Sequence, residues 1–214
     1  MKERIKGQGT MKKISTQYRM AIDFLLRDLS IYFFLTVSTF VLLTIFSTYL
    51  FGENPDLTMT LLSTVVDKFQ GIMENGEISL LNLFINNLQA SVLGVLVGLI
   101  PFLFLPMLGI FSNAAVMGLV FAQFTSSAPL WKVVVLGILP HGIFELTAVF
   151  LCYSMGISIC WNLSKKIVGH RKRENLKDLL QNCLRTTVLI VVPLLIIAAL
   201  VETYITGQLL ITFM

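Results

Sequence analysis

Charged side chains are scarce in this sequence. Only 13% of its 214 residues are Asp, Glu, Lys or Arg, against about 25% in an average soluble domain, and the mean hydropathy is +0.82. The longest stretches with little or no charge are residues 29–52, 78–131, 133–163 and 186–201. A helix crosses the hydrocarbon core of a bilayer with about 20 apolar residues. The scarcity of charge therefore excludes an ordinary soluble domain and predicts an integral membrane protein that has the lipid bilayer as its surroundings.

Cysteine and the common catalytic motifs are also sparse or missing. The three cysteines, Cys152, Cys160 and Cys183, have no metal-binding or redox spacing, and we expect them to be small apolar packing residues. The sequence contains no glycine-rich phosphate loop, no HExxH and no GxSxG, which favours a role other than that of an enzyme without deciding the question. Basic residues beside the membrane spans account for the net charge of +4, so nucleic acid is not an expected partner.

The charges of the loops predict five spans and their orientation. Residues 1–28 contain seven basic and three acidic residues, and residues 165–185 contain seven basic and two acidic ones, so both segments are expected in the cytoplasm. Residues 52–77 carry five acidic residues and one lysine, as expected on the outer side. The uncharged stretch that follows must then cross twice. Pro101 and Pro106 bracket the expected turn, because proline interrupts the hydrogen bonds of a helix.

The predicted fold is all-α: a polytopic bundle of five transmembrane helices with short interfacial helices, its amino terminus inside and its carboxyl terminus outside. We expect residues 1–28 to form a basic interfacial segment and residues 29–214 a single membrane domain. Short amphipathic helices are expected before the first span, after it, and before the fifth span. The fourth span is long enough that it has to tilt, protrude or break near Pro140. The expected spans lie at about 29–51, 78–101, 106–125, 133–160 and 186–206.

The candidate site lies in the fourth span, at Pro140-His141-Gly142-Ile143-Phe144-Glu145. His141 and Glu145 are one helical turn apart, so they share a face of the helix and can pair. A charged side chain at the centre of a membrane helix costs roughly 2.5 to 3.5 kcal/mol, and an intramembrane glutamate therefore indicates a functional site by default. Three explanations stay open at this point: polar packing between helices, proton or ion handling, and a metal or acid/base catalytic centre.

Polar residues of neighbouring spans are expected near this pair. Counting from the outer end of each span places Asn87 and Glu202 in the outer half of the bilayer, and Asn113 deeper. Polar packing between helices is the simpler explanation for the asparagines. If the site binds metal, we expect zinc or another divalent cation, with ligands drawn from His141, Glu145, Asn87, Asn113 and Glu202. If the protein is an enzyme, His141 and Glu145 are the expected catalytic residues.

Gly94 and Gly98 form a GxxxG pattern in the second expected span. Such a pattern lets another helix approach closely. It predicts either tight packing against a neighbouring span or contact with a second copy of the chain, which makes a homo-oligomer one of the expected assemblies.

Several of these elements resemble the stage II sporulation protein M family. The resemblance covers roughly residues 80–205, and Pro-His-Gly-x-x-Glu is its most specific part. It implies a five-span protein of the bacterial plasma membrane. The elements that carry it are Phe84-Ile85-Asn86-Asn87-Leu88, Ser112-Asn113-Ala114-Ala115-Val116-Met117-Gly118, the segment that contains His141 and Glu145, and residues 193–202.

The resemblance also implies a function. Founding members of the family take part in membrane engulfment during sporulation, in complex with cell-wall-degrading partners, and other relatives occur beside circular-bacteriocin and transporter genes. We therefore expect a membrane subunit of a complex for engulfment-type envelope remodelling or export, with other membrane or cell-envelope proteins as partners. The alternative is a membrane-embedded metal-dependent hydrolase or peptidase, or a peptide-maturation enzyme, centred on His141 and Glu145. A transporter subunit is the third expectation.

Overall fold

The computed structural model describes residues 2–70, 73–74, 77–124, 129–169 and 175–206, and these are mainly helical. The first two helices form one rod, in which α1 (Lys2–Phe24) continues through a π-helical turn (Leu25–Leu29) into α2 (Ser30–Gly52). The next helices are α3 (Pro55–Gln70), α4 (Leu80–Leu96), which ends in a 3-10 turn (Val97–Leu99), and α5 (Pro106–Phe124). A second rod contains α6 (Leu130–Lys132), a π-helical segment (Val133–Ile138) and α7 (Leu139–Ile167). A third contains α8 (Leu176–Thr186), a π-helical turn (Thr187–Val191), α9 (Val192–Val201) and the π-helical turn Glu202–Thr206.

Five helical segments are long and apolar enough to cross a membrane, which confirms the predicted all-α fold with five spans. They are Lys13–Gly52, Leu80–Leu99, Pro106–Phe124, Val134–Ile167 and Leu176–Thr206. The first and fifth are longer than expected, because the amphipathic helices predicted before them continue into the spans without a break. The predicted orientation of the termini and the division into a segment and a domain stay predictions. Part of the turn expected at residues 125–131 lies outside the described residues.

Prolines inside two spans are accommodated by π-helical turns. Pro140 follows the π-helical segment Val133–Ile138, and Pro193 follows the turn Thr187–Val191. Proline cannot donate a hydrogen bond and its ring collides with the carbonyl four residues earlier. The wider π-helical turn changes the bonding pattern where that donor is missing. The fourth span therefore passes Pro140 as a continuous helix and does not break there.

A small β-hairpin follows α3 and was not expected from the sequence. Its strands, β1 (Met73–Glu74) and β2 (Glu77–Ile78), pair antiparallel, with Met73 opposite Ile78. The sequence between the strands is Asn-Gly, the dipeptide most typical of two-residue hairpin loops. That dipeptide could have predicted the hairpin.

The central helix of the bundle is α7. Almost every side chain from Ala148 to Cys160 is buried, on all faces of the helix. One apolar core joins α7 to the first and fifth spans through Leu29 and Leu195, and a second joins it to α2 and α5 through Phe40 and Ile110. A helix that is apolar all round is stable when other helices surround it. The residues of the candidate site on α7 are thereby brought into the middle of the bundle.

Glycines allow α4 to lie directly against α7. A Cβ atom added to Gly98 would overlap backbone atoms of Gly156, and one added to Gly156 would overlap the carbonyl oxygen of Gly94. Gly94 itself lies under the ring of Tyr153. The GxxxG pattern therefore makes a contact inside the chain, the first of its two predicted uses.

The turn between α4 and α5 is fastened to the far end of α7. The backbone N–H of Phe102 donates to Oγ of Ser164 over 2.8 Å, and Sγ of Cys160 donates to the carbonyl of Ile100 over 3.3 Å. Phe102 has a φ of 68°, which is uncommon for a large side chain. Pro101 and Pro106 bracket this turn as predicted. These contacts fasten the α4–α5 turn to the end of α7 opposite to the end that carries His141 and Glu145.

Candidate functional site

A cavity of about 300 Å³ lies between four of the five spans. Its size is at the lower end of the range for small-molecule pockets. Apolar side chains form part of its wall, as expected in a membrane bundle. Its polar and ionisable lining comes from α4, α5, α7 and the turn after α9, and consists of Asn86, Asn87, Ser112, Asn113, His141, Glu145 and Glu202.

The two nitrogens of the His141 ring each face a residue of the fifth span. Its Nδ1 lies 3.2 Å from Oγ1 of Thr206, within hydrogen-bond distance. Its Nε2 lies 4.0 Å from Oε2 of Glu202, and both side chains are largely shielded, with exposed fractions of 16% for His141 and 14% for Glu202. Glu202 and Thr206 are four residues apart in the π-helical turn that ends the described part of the span. That spacing puts both side chains on the side of the turn that faces α7.

His141, Glu145 and Glu202 form a compact group of metal-ligand type. Each can offer one ligand atom, and these three atoms all lie within 4.8 Å of one another. Around a zinc ion with ligand distances of 2.0 to 2.2 Å, neighbouring ligand atoms lie roughly 3.4 Å apart. Side-chain movements of about an ångström would close the group to that size. The same arrangement could also hold a proton between the two carboxylates.

The pairing of His141 with Glu145 that the sequence suggests is replaced by a contact between spans. Among the described residues, the ion-pair contact of His141 is with Glu202, because Thr206 holds the ring toward the fifth span. Glu145 follows one turn later on α7 and also lines the cavity. No hydrogen bond or ion pair joins the Glu145 carboxylate to any side chain or backbone group within the described ranges. Glu145 is thus a carboxylate grouped with His141 and Glu202 and directed into a polar cavity.

The asparagines lie in the wall of the same cavity. The amide nitrogen of Asn113 donates to the carbonyl of Gly109 over 2.8 Å and to the hydroxyl of Tyr153 over 2.9 Å. The amide nitrogen of Asn86 donates to Oδ1 of Asn87 over 3.4 Å, which is a long bond. Asn113 therefore has the contacts of a packing residue. Asn87 is close enough to the group to line the cavity with it.

Comparison with known proteins identifies the family. The family model for stage II sporulation protein M matches residues 21–207, a range that contains every residue of this cavity. This chain belongs to the stage II sporulation protein M family. An uncharacterized protein of Methanocaldococcus jannaschii is 28% identical to it over 152 residues, which cover 69% of this chain and 82% of the relative. No solved structure matches the chain.

The structure of this stage II sporulation protein M family member adds three residues that were not among the candidate site residues. Thr206 contacts His141, Ser112 lines the cavity, and Tyr153 holds Asn113. Thr206 follows Glu202 at the same four-residue spacing that separates His141 from Glu145, so a search for paired polar positions in the spans could have found it. Ser112 stands in one of the segments that carry the family resemblance, whereas Tyr153 has no comparable signal, since tyrosine is common in membrane helices.

Proposed function

We propose that this protein is the membrane-embedded subunit of a complex that remodels the cell envelope, in the manner of engulfment, or exports material across it. The family membership supports a multi-pass membrane subunit. We place it in the plasma membrane, where such a complex would contact the cell wall and its enzymes. Other membrane or cell-envelope proteins are its proposed partners.

The polar cavity is the observation that carries this proposal. A subunit that only anchored a complex would need no histidine and two glutamates grouped inside its bundle, because each ionisable side chain in a membrane span is costly. The cavity draws its lining from four spans, so a movement of any one of them changes its shape. We therefore propose that the subunit does its work at this cavity while partner proteins bind around it.

The proposal is tested in the organism that encodes the protein. The gene is deleted, and the deletion strain then receives a gene for the wild-type chain, for His141→Ala or for the control Glu53→Gln, all at equal expression. Glu53 is a suitable control because it lies at the end of α2, away from the cavity. We expect the deletion to alter envelope shape or export, Glu53→Gln to restore the wild-type phenotype, and His141→Ala to fail although it is inserted in the membrane. Crosslinking in intact cells should join the wild-type chain and His141→Ala to the same envelope protein. Deletion of the gene for that envelope protein should reproduce the phenotype. A deletion strain with normal envelope and export would reject the proposal.

A membrane-embedded metal-dependent hydrolase or peptidase is the second candidate function. The observation that favours it is the grouping of three ligand-type atoms within 4.8 Å beside the cavity. In such enzymes the metal supplies an activated water and a protein carboxylate accepts its proton. His141, Glu145 and Glu202 would together hold the metal from two spans. Removal of the Glu145 carboxylate would then remove both a ligand and a nearby proton acceptor.

A comparison of peptides distinguishes the two candidates. Membrane and secreted peptides from cells with the wild-type chain are compared with those from cells with Glu145→Gln. A hydrolase predicts a fragment that is present with wild type and Glu53→Gln and absent with Glu145→Gln, together with its uncut precursor. Identical peptide patterns in all three strains would reject the hydrolase and leave the subunit role standing.

A further inference from the structure

We infer that His141, Glu145 and Glu202 bind one divalent transition-metal ion, and that Thr206 is a positioning residue that turns His141 Nε2 toward it. The inference rests on the proposed function in one respect, that this cavity is the functional site. It adds the identity of the ion bound at that site, and it adds Thr206, which does not itself bind the ion. Metal binding is measured apart from activity, so the two proposals can fail separately.

The charges of the group call for a cation. Two carboxylates and an imidazole offer ligand atoms within 4.8 Å of one another inside a membrane bundle. Two ionised carboxylates at such distances would repel each other strongly where water is scarce, and a carboxylate without a partner is costly in a span. The described part of the chain gives Glu145 no hydrogen-bond donor, and Glu202 has the 4.0 Å contact with His141. A divalent ion between the three side chains balances both carboxylates at once.

Thr206 determines which nitrogen of His141 faces the group. Its hydroxyl lies 3.4 Å from the carbonyl of Val201, to which it donates, and 3.2 Å from Nδ1 of His141. With the hydroxyl hydrogen directed at Val201, Oγ1 accepts the hydrogen of Nδ1. The ring then carries its lone pair on Nε2, the nitrogen on the Glu202 side. A metal-binding histidine typically donates its other ring N–H to an oxygen in this way, which fixes both tautomer and orientation.

The ligand types point to a transition metal rather than to magnesium or calcium. An imidazole nitrogen suits Zn²⁺ and its first-row neighbours, whereas Mg²⁺ and Ca²⁺ prefer oxygen alone. Three protein ligands leave a zinc site with one open position, as in catalytic sites. The cavity that Asn87 also lines would give water or a substrate group access to such a position. The amide nitrogen of Asn113 donates to Gly109 and Tyr153, as a packing residue does, and the proposed ligand set consists of the histidine and the two glutamates alone.

The test uses the full chain purified in detergent, stripped with a chelator and titrated separately with zinc chloride, manganese chloride and magnesium chloride. Bound metal is measured by mass spectrometry of the elements and by calorimetry. We expect one zinc or manganese ion per chain, no comparable binding of magnesium, and loss of stoichiometric binding in Glu145→Gln and Glu202→Gln. Glu53→Gln serves as the control for removing a carboxylate and should bind as wild type does.

Thr206 has its own matched variants. Thr206→Val should weaken metal affinity by about 10- to 100-fold, the usual effect of losing an outer hydrogen bond to a ligand, and Thr206→Ser should restore it. Thr147→Val is the control, because Thr147 lies on the same helix as His141, and its hydroxyl, like that of Thr206, donates to a backbone carbonyl of its own span, that of Ile143, over 2.6 Å. It should leave affinity unchanged. Since Thr206→Val removes no charge, it tests the site even if a glutamate variant fails to fold.

Two results would overturn the inference. One is a folded, monodisperse wild-type chain that binds neither zinc nor manganese. The other is unchanged affinity in folded Glu145→Gln and Glu202→Gln, or in Thr206→Val. Stoichiometric metal binding together with a normal deletion strain would reject the proposed function alone. A His141→Ala phenotype in cells, with no metal bound by the wild-type protein, would reject the metal site alone.

Discussion

At the scale of single residues, the cavity has two kinds of polar side chain. Asn113 is bonded through its amide nitrogen to Gly109 and Tyr153, whereas Glu145 has no such partner in the described ranges. The first kind stabilises contact between α5 and α7, as interhelical hydrogen bonds in membranes do. The second kind is costly for the fold, and its presence therefore indicates a functional role.

Tyr153→Phe tests the packing role of Asn113. The ring that covers Gly94 and Gly109 is kept, and the acceptor for the Asn113 amide is lost. We expect a loss of about 0.6 kcal/mol, the average for such bonds in a membrane protein, seen as a small decrease in thermal stability in detergent. Tyr204→Phe is the control, because Tyr204 is exposed.

A double-mutant cycle with Asn113→Ala should recover that coupling between the two side chains. Metal content should not change in Tyr153→Phe. Loss of the metal from folded Tyr153→Phe, with Tyr204→Phe unaffected, would contradict the packing assignment.

The sequence could predict His141 and Glu145, because ionisable residues in an apolar stretch are conspicuous. It also brought Glu202 into the candidate set, since depth along a span can be counted. The spacing of Glu202 and Thr206 was visible in the sequence, but the contacts of these two residues with His141 were not predictable from it. Those contacts depend on how the fifth span is rotated against α7, and one sequence does not determine the rotation of a helix about its axis.

At the scale of the elements, glycine controls how closely α4 and α7 approach. Gly98 and Gly156 face each other with no room for a Cβ atom, and backbone atoms rather than flexible side chains occupy the space. A Cβ atom at either position could be accommodated only if the two helices moved apart. Because Tyr153 lies in the same contact, such a movement would extend toward the residues of the cavity.

Gly98→Ala should therefore destabilise the bundle by about 1 to 3 kcal/mol, the usual range for overpacking. The matched control is Gly52→Ala at the end of α2, where an added Cβ meets nothing within 4 Å. There the higher helix propensity of alanine should leave stability unchanged or slightly raised. Thermal unfolding in detergent, followed by tryptophan fluorescence, measures both variants. Equal stability of Gly98→Ala and Gly52→Ala would contradict the close contact.

The elements were predictable where local signals decide them. Uncharged stretches and loop charges gave the number of spans, and Pro101 and Pro106 marked the turn between α4 and α5. Of the three alternatives for the long fourth span, the break near Pro140 is not the one observed, because a π-helical segment precedes the proline and the helix continues through it. The close pairing of Gly98 with Gly156 was one of two alternatives. A GxxxG pattern does not say which helix it contacts.

At the scale of the whole molecule, the orientation in the membrane rests on the charges of the loops. Basic residues are concentrated in residues 1–28 and 165–185, and acidic ones in residues 52–77. With five spans, these charges predict an amino terminus in the cytoplasm and a carboxyl terminus outside. This orientation would place the cavity in the outer half of the bilayer, on the side of the cell wall.

A reporter pair fused after Met214 checks the orientation. We expect alkaline phosphatase fused after Met214 to be active, because this enzyme needs the oxidising exterior. We expect green fluorescent protein at the same position to be dark, because it does not become fluorescent after Sec-dependent export. The same reporters at Gly169, in the basic loop between α7 and α8, should behave in the opposite way. A cytoplasmic reporter at Met214 would invert the topology and move the cavity to the inner side.

The central claim is that the cavity between the spans is the site at which this protein works, and Glu145→Gln tests it most directly. Glutamine keeps the shape and polarity of the side chain and removes the carboxylate that groups with His141 and Glu202. The measurement is restoration of the deletion phenotype at matched membrane abundance and matched size of the detergent-extracted complex, with Glu53→Gln as control. The account predicts no restoration by Glu145→Gln and full restoration by Glu53→Gln. Full restoration by Glu145→Gln would contradict it, because an amide serves polar packing between helices as well as a protonated acid does.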